Sequence, residues 1–282
     1  MDGNKKAVRK GVVMAMKKFF SEWAFLFILP GLAGFILFYI FPFFVSVGFS
    51  FLDRPVNGSF VGFKNYIDLL HNNSYLTGLK NTAIFIGLCV PLNMLLSLTV
   101  ASLINRMKKY KDTFALLFLI PLVIPSGAMV FFWRILFANG DWLQNKYSLF
   151  VIVIIFLWKN LGYNMVLFLA GLNNIPKEYY EAARVDGSNS WQSFQNITLV
   201  CLLPTTVLTL IMSVINSFKV FREVYLIMGT YPHENVYMLQ HFMNNMFFSL
   251  NYPRLTTATS ILTLIIAVFA WLLFRLERRI HV

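Results

Sequence analysis

Six stretches of the chain are apolar and long enough to cross a bilayer, at 23–49, 82–104, 113–138, 148–172, 200–221 and 255–274. Polar segments separate them. Pro30 and Pro42 fall inside the first span and Pro121 and Pro125 inside the third. Such prolines are tolerated because neighbouring helices can satisfy the carbonyls they free. Two connections, 50–81 and 222–254, are long. The connection 105–112 is short and dense in Arg106, Lys108, Lys109 and Lys111.

The segment 173–199 is different in kind, being the longest run of polar and helix-forming residues between two apolar spans. Asn174 can cap a helix whose first turn accommodates Pro176, because proline lacks only an N–H that would be unpaired there. Helix formers continue to Val185, and Asp186-Gly187 stops them, glycine leaving a helix with positive φ at no steric cost. Ser188, Asn189 and Ser190 offer a new N-cap, and Trp191, Phe194, Ile197 and Thr198 recur at helical spacing. Two short helices meeting at a bend are predicted, with Ala182 and Ala183 exposed beside Glu181. Small side chains leave a shallow surface for another protein, and the carboxylate can pair with a basic group there. The alternative reading is an amphipathic loop lying on the membrane.

Composition agrees with a membrane protein: of 282 residues, 58% are hydrophobic and 13% charged, too apolar for a soluble domain. The net charge of +12 resides in short loops beside apolar runs, which signals membrane orientation and not nucleic-acid binding. Six spans put both termini on one side. That side carries fifteen Lys and Arg against six on the other, with Arg134, Lys159 and Lys219 within or at the ends of spans. The basic leader 1–22, the segment 173–199 and the tail 277–282 are therefore expected in the cytoplasm. No cleavable signal peptide is expected, since the first apolar run is too long for one. Cys89 and Cys201 read as small buried residues, and the four histidines lack metal-ligand spacing.

Catalytic signals are missing. No glycine is directly followed by lysine, so the chain has no Walker-type phosphate loop and is not itself an ATPase. All twelve acidic residues are expected in loops, tails or span ends, whereas an ion-coupled carrier would place a carboxylate at mid-membrane. The spans do carry uncharged polar residues and two lysines. The fourth has Lys159, Asn160, Tyr163 and Asn164; the fifth has Ser213, Asn216, Ser217 and Lys219; the third has Ser126. Groups like these are costly in hydrocarbon unless they face protein or water. Any single Ser or Asn can be explained by helix-to-helix hydrogen bonding, but the cluster favours a hydrated cavity. Lys159 could instead snorkel or pair with Glu223.

The run Glu181-Ala182-Ala183-Arg184-Val185-Asp186-Gly187, preceded by Ile175-Pro176 and followed by Trp191, Phe194 and Ile197-Thr198-Leu199, closely resembles the E-A-A-x-x-D-G loop of the membrane subunits of binding-protein-dependent ABC importers. It is most similar to their carbohydrate-uptake, maltose-permease-like (MalF-type) branch. Gly62-Phe63-Lys64-Asn65-Tyr66 matches the G-x-x-N-Y element after the first span, and Asn81-Thr82 matches the N-T expected to open the second. The resemblance implies an all-α polytopic membrane protein with six transmembrane helices in the type I ABC importer (MetI-like) permease fold, in a bacterial plasma (inner) membrane. It implies that Tyr180, Glu181, Ala182, Ala183, Asp186 and Gly187 dock an ATPase, and that sugar is held by Ser126, Asn160, Tyr163, Ser213 and Ser217, with Lys159 and Asn216 beside them. Leu122 replaces an aromatic ring of the maltose permease and Lys159 an apolar residue, departures that point away from maltose. Val200 replaces the proline often found after Ile-Thr-Leu, and Gly229-Thr230-Tyr231-Pro232 replaces the usual Gly-Gly-Pro.

The implied partners are a second, MalG-like permease, two cytoplasmic ABC ATPases, an extracytoplasmic solute-binding protein, a sugar substrate and membrane lipid. The chain itself would hold no cofactor, ATP and Mg being bound by the ATPases. A stand-alone channel or membrane scaffold is the competing class. It accounts for six spans and a polar cavity but gives no reason for the bent, capped loop.

Overall fold

The computed structural model describes residues 26–107, 109–137 and 142–280, with side chains to 275. The leader expected at 1–22 and the last residues of the tail lie outside the described residues. Among the described residues the chain is helical, its one β contact an isolated bridge between Leu52 and Phe60. Five helices are long and apolar enough to span a membrane: α1 (Leu26–Phe49), α3 (Asn73–Asn105), α6 (Ser148–Asn173), the pair α9 (Leu203–Lys219) and α10 (Phe221–Met228), and α12 (Tyr252–Ile280). Counting α4 (Lys111–Val123) and α5 (Ser126–Leu136) as one broken span makes six. Four shorter helices are α2 (Lys64–Leu70), α7 (Lys177–Val185), α8 (190–201) and α11 (Leu239–Phe248).

The chain divides into two compact units, one ending at Tyr66 with Tyr252–Ser260 added, the other comprising Ile67–Asn251 and the residues from Ile261. In the first, α1 buries none of its apolar window, so its Leu and Phe side chains are left for lipid or a partner. The G-x-x-N-Y element acts there as a clasp. Gly62 takes φ +56°, and Asn65 Nδ2 donates to the carbonyls of Ser50 and Leu52 at 2.9 and 2.8 Å. The Tyr66 hydroxyl lies 2.7 Å from Ser50 Oγ.

The second unit is built around α6. Half of its most apolar window is buried, against 28% for α3 and for Leu203–Met228, which makes it the central helix. A helix apolar on all sides has this fate. One apolar cluster packs Phe85, Met129, Ile152, Phe156, Val224 and Val236; another packs Ala101, Met165, Phe168, Leu172 and Leu202. Gly162 is where α6 meets α4, and a Cβ there would overlap the Phe118 carbonyl. Glycine permits the close backbone approach on which membrane helices rely.

Several expectations are corrected. The second span begins at Asn73, nine residues early, because Asn72 Oδ1 accepts the Tyr75 amide at 3.0 Å and caps the helix there. Asn81-Thr82 therefore lies inside α3 and pins the segment before α11: Asn81 Nδ2 donates to the carbonyls of Glu234 (2.6 Å) and Tyr237 (2.9 Å), and Thr82 Oγ1 accepts the Leu239 amide at 2.9 Å. The third span bends by 89° between α4 and α5. Ile124, preceding Pro125, takes the extended φ −66°, ψ 127° that proline imposes on its predecessor. The connection 222–254 is largely helical, through α10 and α11. Cys89 is buried as expected, but Cys201 is exposed.

Candidate functional site

Two features could carry function: the elbow between α6 and α9, and a charged cavity beside α6. In the elbow, α6 runs on to Asn173 and Asn174 becomes its C-cap, donating its amide to the Gly171 carbonyl at 3.1 Å. The expected N-cap role of Asn174 is thus overturned. Pro176, with ψ 136°, starts α7 instead. The helix ends in a Schellman motif: the Ser188 amide donates to Ala183 O at 2.9 Å and the Gly187 amide to Arg184 O at 3.1 Å, with Gly187 at φ +79°. α8 then opens with a capping box, Asn189 Oδ1 accepting the Gln192 amide (2.9 Å) and Gln192 Oε1 accepting the Asn189 amide (2.8 Å). Caps on both sides of a two-residue turn hold the angle between the two arms.

Around that turn Glu181, Ala182, Asp186 and Gly187 are exposed, whereas Tyr180 and Ala183 are half-buried. Tyr180 faces inward, its hydroxyl 2.8 Å from Thr198 Oγ1, and so braces α7 against α8. Sequence reasoning missed two exposed apolar side chains on the same elbow. Val185 is 89% exposed, and Trp191, stacked on Phe194 at 5.7 Å, is 64% exposed. An apolar residue on an otherwise polar helix was the available signal.

The cavity has a volume of about 200 Å³ and is lined by Leu122, Ile155, Lys159, Asn160, Asn216, Lys219, Val220, Arg222 and Glu223. Lys159 Nζ pairs with Glu223 Oε1, and Ser126 Oγ donates to the same oxygen at 3.2 Å. Three helices therefore meet on one carboxylate: α6, α10 and the first turn of α5 after the bend. Glu223, expected in a loop, is 2% exposed inside α10. The stretch Leu203–Met228 qualifies as one span, so the expectation that every acidic residue lies outside the spans or at their ends is corrected.

The remaining candidates divide. Asn160 Nδ2 donates to its own helix at Phe156 O (2.9 Å), and Asn216 Oδ1 accepts Lys219 Nζ at 3.0 Å; both line the cavity. Ser213 is buried and accepts Asn164 Nδ2 at 2.6 Å across the α6–α9 contact. Ser217 is buried and donates to Val214 O at 2.6 Å. Tyr163 is half-buried, and these three residues are not among those lining the cavity. Asn93 and Ser97 on α3, not anticipated, form a similar polar seam, with Ser97 Oγ 3.3 Å from Asn93 Oδ1 and 3.0 Å from Leu161 O. Much of the polar content of the spans is thus occupied by hydrogen bonds within single helices, with Asn164–Ser213 and Ser97–Leu161 O crossing between helices.

Among the described residues, the capped elbow joins and the charged cavity adjoins helices long and apolar enough to cross a membrane, the layout of a polytopic membrane protein. The family described as "Binding-protein-dependent transport system inner membrane component" is matched over residues 93–282. The probable starch degradation products transport system permease protein AmyD of Thermoanaerobacterium thermosulfurigenes is 30% identical over 74% of this chain and 79% of its own. The arabinooligosaccharides transport system permease protein AraP of Bacillus subtilis is 32% identical over 74% of each chain. A chain of a bacterial alginate ABC transporter, solved in complex with an alginate pentasaccharide-bound periplasmic protein, superposes with a TM-score of 0.73 at 21% identity, covering 95% of this chain and 97% of that one. That likeness establishes the fold. This chain belongs to the inner membrane components of binding-protein-dependent transport systems. It is a multi-pass membrane protein with the fold of an ABC importer permease.

Proposed function

We propose that the chain is one of two permeases in an ATP-driven importer of a sugar or oligosaccharide, working by alternating access. The observation that carries the reading is the elbow, its angle held by a Schellman motif and a capping box while Glu181, Ala182 and Val185 stand exposed. Cytoplasmic ABC ATPases, binding ATP and Mg themselves, dock on 181–187, and their closure moves the elbow as a lever. A MalG-like second permease and an extracytoplasmic solute-binding protein complete the assembly. The excess of basic residues on the elbow side supports cytoplasmic termini.

Carbohydrate as the cargo is supported by the relatives, which are named for starch degradation products and arabinooligosaccharides, and by the alginate transporter that shares the fold. The cavity forms one wall of the path. At about 200 Å³ it falls below the ~300–1,000 Å³ of small-molecule sites, so the second permease supplies the opposite wall. Lys159, Lys219 and Arg222 outnumber the single carboxylate of Glu223, which favours an acidic or densely hydroxylated sugar. Ser213, Ser217 and Tyr163 would contact it only after their present neighbours move.

Reversing charge with Glu181→Lys tests the docking. ATPase co-purification and oligosaccharide uptake should both fall, while the chain still inserts and folds. Full coupled uptake in this variant would remove the elbow as the docking surface.

A further inference from the structure

A second and larger cavity, of about 440 Å³, lies on the inner side of the elbow and has no part in the reading above. Four elements line it, α6 through Leu172 and three others through polar side chains. The end of α3 contributes Ser102 and Arg106, α7 contributes Arg184, and the turn with the first residues of α8 contributes Ser188, Ser190 and Ser193. Tyr180 and Thr198 also reach it but satisfy each other.

What the cavity lacks is an anionic side chain. No Asp or Glu lines it, and the side-chain oxygen of Asn105 at its edge already accepts Lys111 Nζ at 2.7 Å. Among the described residues neither Arg106 nor Arg184 has a carboxylate within ion-pair distance. Among the described residues the hydroxyls of Ser102 and Ser190 make no hydrogen bond, while Ser188 Oγ lies 3.5 Å from the Asn189 carbonyl and 3.4 Å from Ser193 Oγ. Two guanidinium forks and four hydroxyls thus surround one space with nothing negative in it. The α8 terminus is not the attraction, because Asn189 already caps it. Arginine forks match phosphate oxygens two at a time, and hydroxyls supply the remaining donors.

We propose that this cavity binds a phosphate-bearing ligand, held between Arg106 at the end of α3 and Arg184 on the elbow. Occupancy ties α7 and α8 to the end of α3 and, in a step that rests on the lever role proposed for the elbow, the ligand braces that lever. A phosphomonoester entering from the aqueous side and a phospholipid headgroup present the same chemistry.

The test uses the full chain, delipidated in phosphate-free maltoside micelles, and follows its thermal unfolding midpoint. One arm titrates inorganic phosphate against chloride at matched ionic strength; the other adds phosphatidylglycerol against diacylglycerol. A saturable upward shift in the first arm identifies a free phosphoryl ligand and in the second a headgroup. In either case the apparent affinity should weaken about tenfold or more in Arg106→Gln and in Arg184→Gln, since each removes a charge-assisted contact. It should weaken less in Ser190→Ala and not at all in Arg54→Gln, which lies far along the chain on an exposed turn. No shift in the wild type, or one that survives both Arg106→Gln and Arg184→Gln, overturns the assignment. Both Arg side chains are exposed, so neither replacement should prevent folding.

Discussion

Gly187 offers the most direct test of the elbow. Its φ of +79° belongs to the left-handed region, and a Cβ built there meets nothing within 4 Å. An alanine would therefore suffer no clash, and its cost is torsional alone, about 1–2 kcal/mol. Asparagine visits that region readily and should cost little, whereas valine, branched at Cβ, should cost most. Two amides report the cost directly, because Ser188 N–H on Ala183 O and Gly187 N–H on Arg184 O exist only while the turn holds its shape. One to two kcal/mol is a factor of roughly 5–30 in the closed-to-open ratio. Hydrogen–deuterium exchange on the peptide spanning 183–190 of the purified chain should accelerate by that factor in Gly187→Ala, more in Gly187→Val and barely in Gly187→Asn. Coupled uptake should follow the same order. Wild-type exchange in both the Ala and Val variants would refute the idea that a left-handed residue sets the elbow.

The remaining predictions concern packing, the buried ion pair and pH. Gly162→Ala should destabilise the chain by roughly 1–3 kcal/mol or more through overlap with the Phe118 backbone, whereas Gly87→Ala, with open space at its Cβ, should be neutral or stabilising by up to about 1 kcal/mol; thermal unfolding that ranks them the other way would contradict the close approach of α4 and α6. Lys159→Met alone should cost about 3–5 kcal/mol by leaving Glu223 buried with only Ser126, and the double variant Lys159→Met/Glu223→Met should recover most of the loss. Glu223→Gln should cost less, because the Lys159 side chain is 20% exposed against 3% for Glu223; additive losses in the double variant would argue against the pair. His241, outside the spans and fully buried, has its pKa lowered from 6.5 to about 4 by burial, with Nδ1 accepting the Met238 amide at 3.1 Å. The unfolded chain then binds a proton that the folded one refuses, so stability is complete above about pH 6.5 and declines as pH falls toward 4. The loss should reach roughly 2 kcal/mol by pH 5, and His241→Asn should flatten that part of the profile.

Features that a few adjacent residues encode were legible along the chain. Hydropathy marked every span, because lipid or a buried core demands apolar side chains over a whole helix. Pro176, Gly187 and the Asn189–Gln192 box wrote the elbow, because caps and turns are settled within four or five residues. Which polar residues share a space was settled by packing between distant segments. Glu223 follows a long apolar run and looks like the start of a loop, yet α10 carries it into a buried pair with Lys159. The bend at Ile124-Pro125 turns Ser126 onto the same carboxylate, whereas Ser213 and Ser217 find partners among their neighbours. Asn81 reaches carbonyls at 234 and 237, more than 150 positions away. A helix's rotation about its own axis is chosen by the segments packed against it, and those segments lie too far along the chain for local propensity to name them.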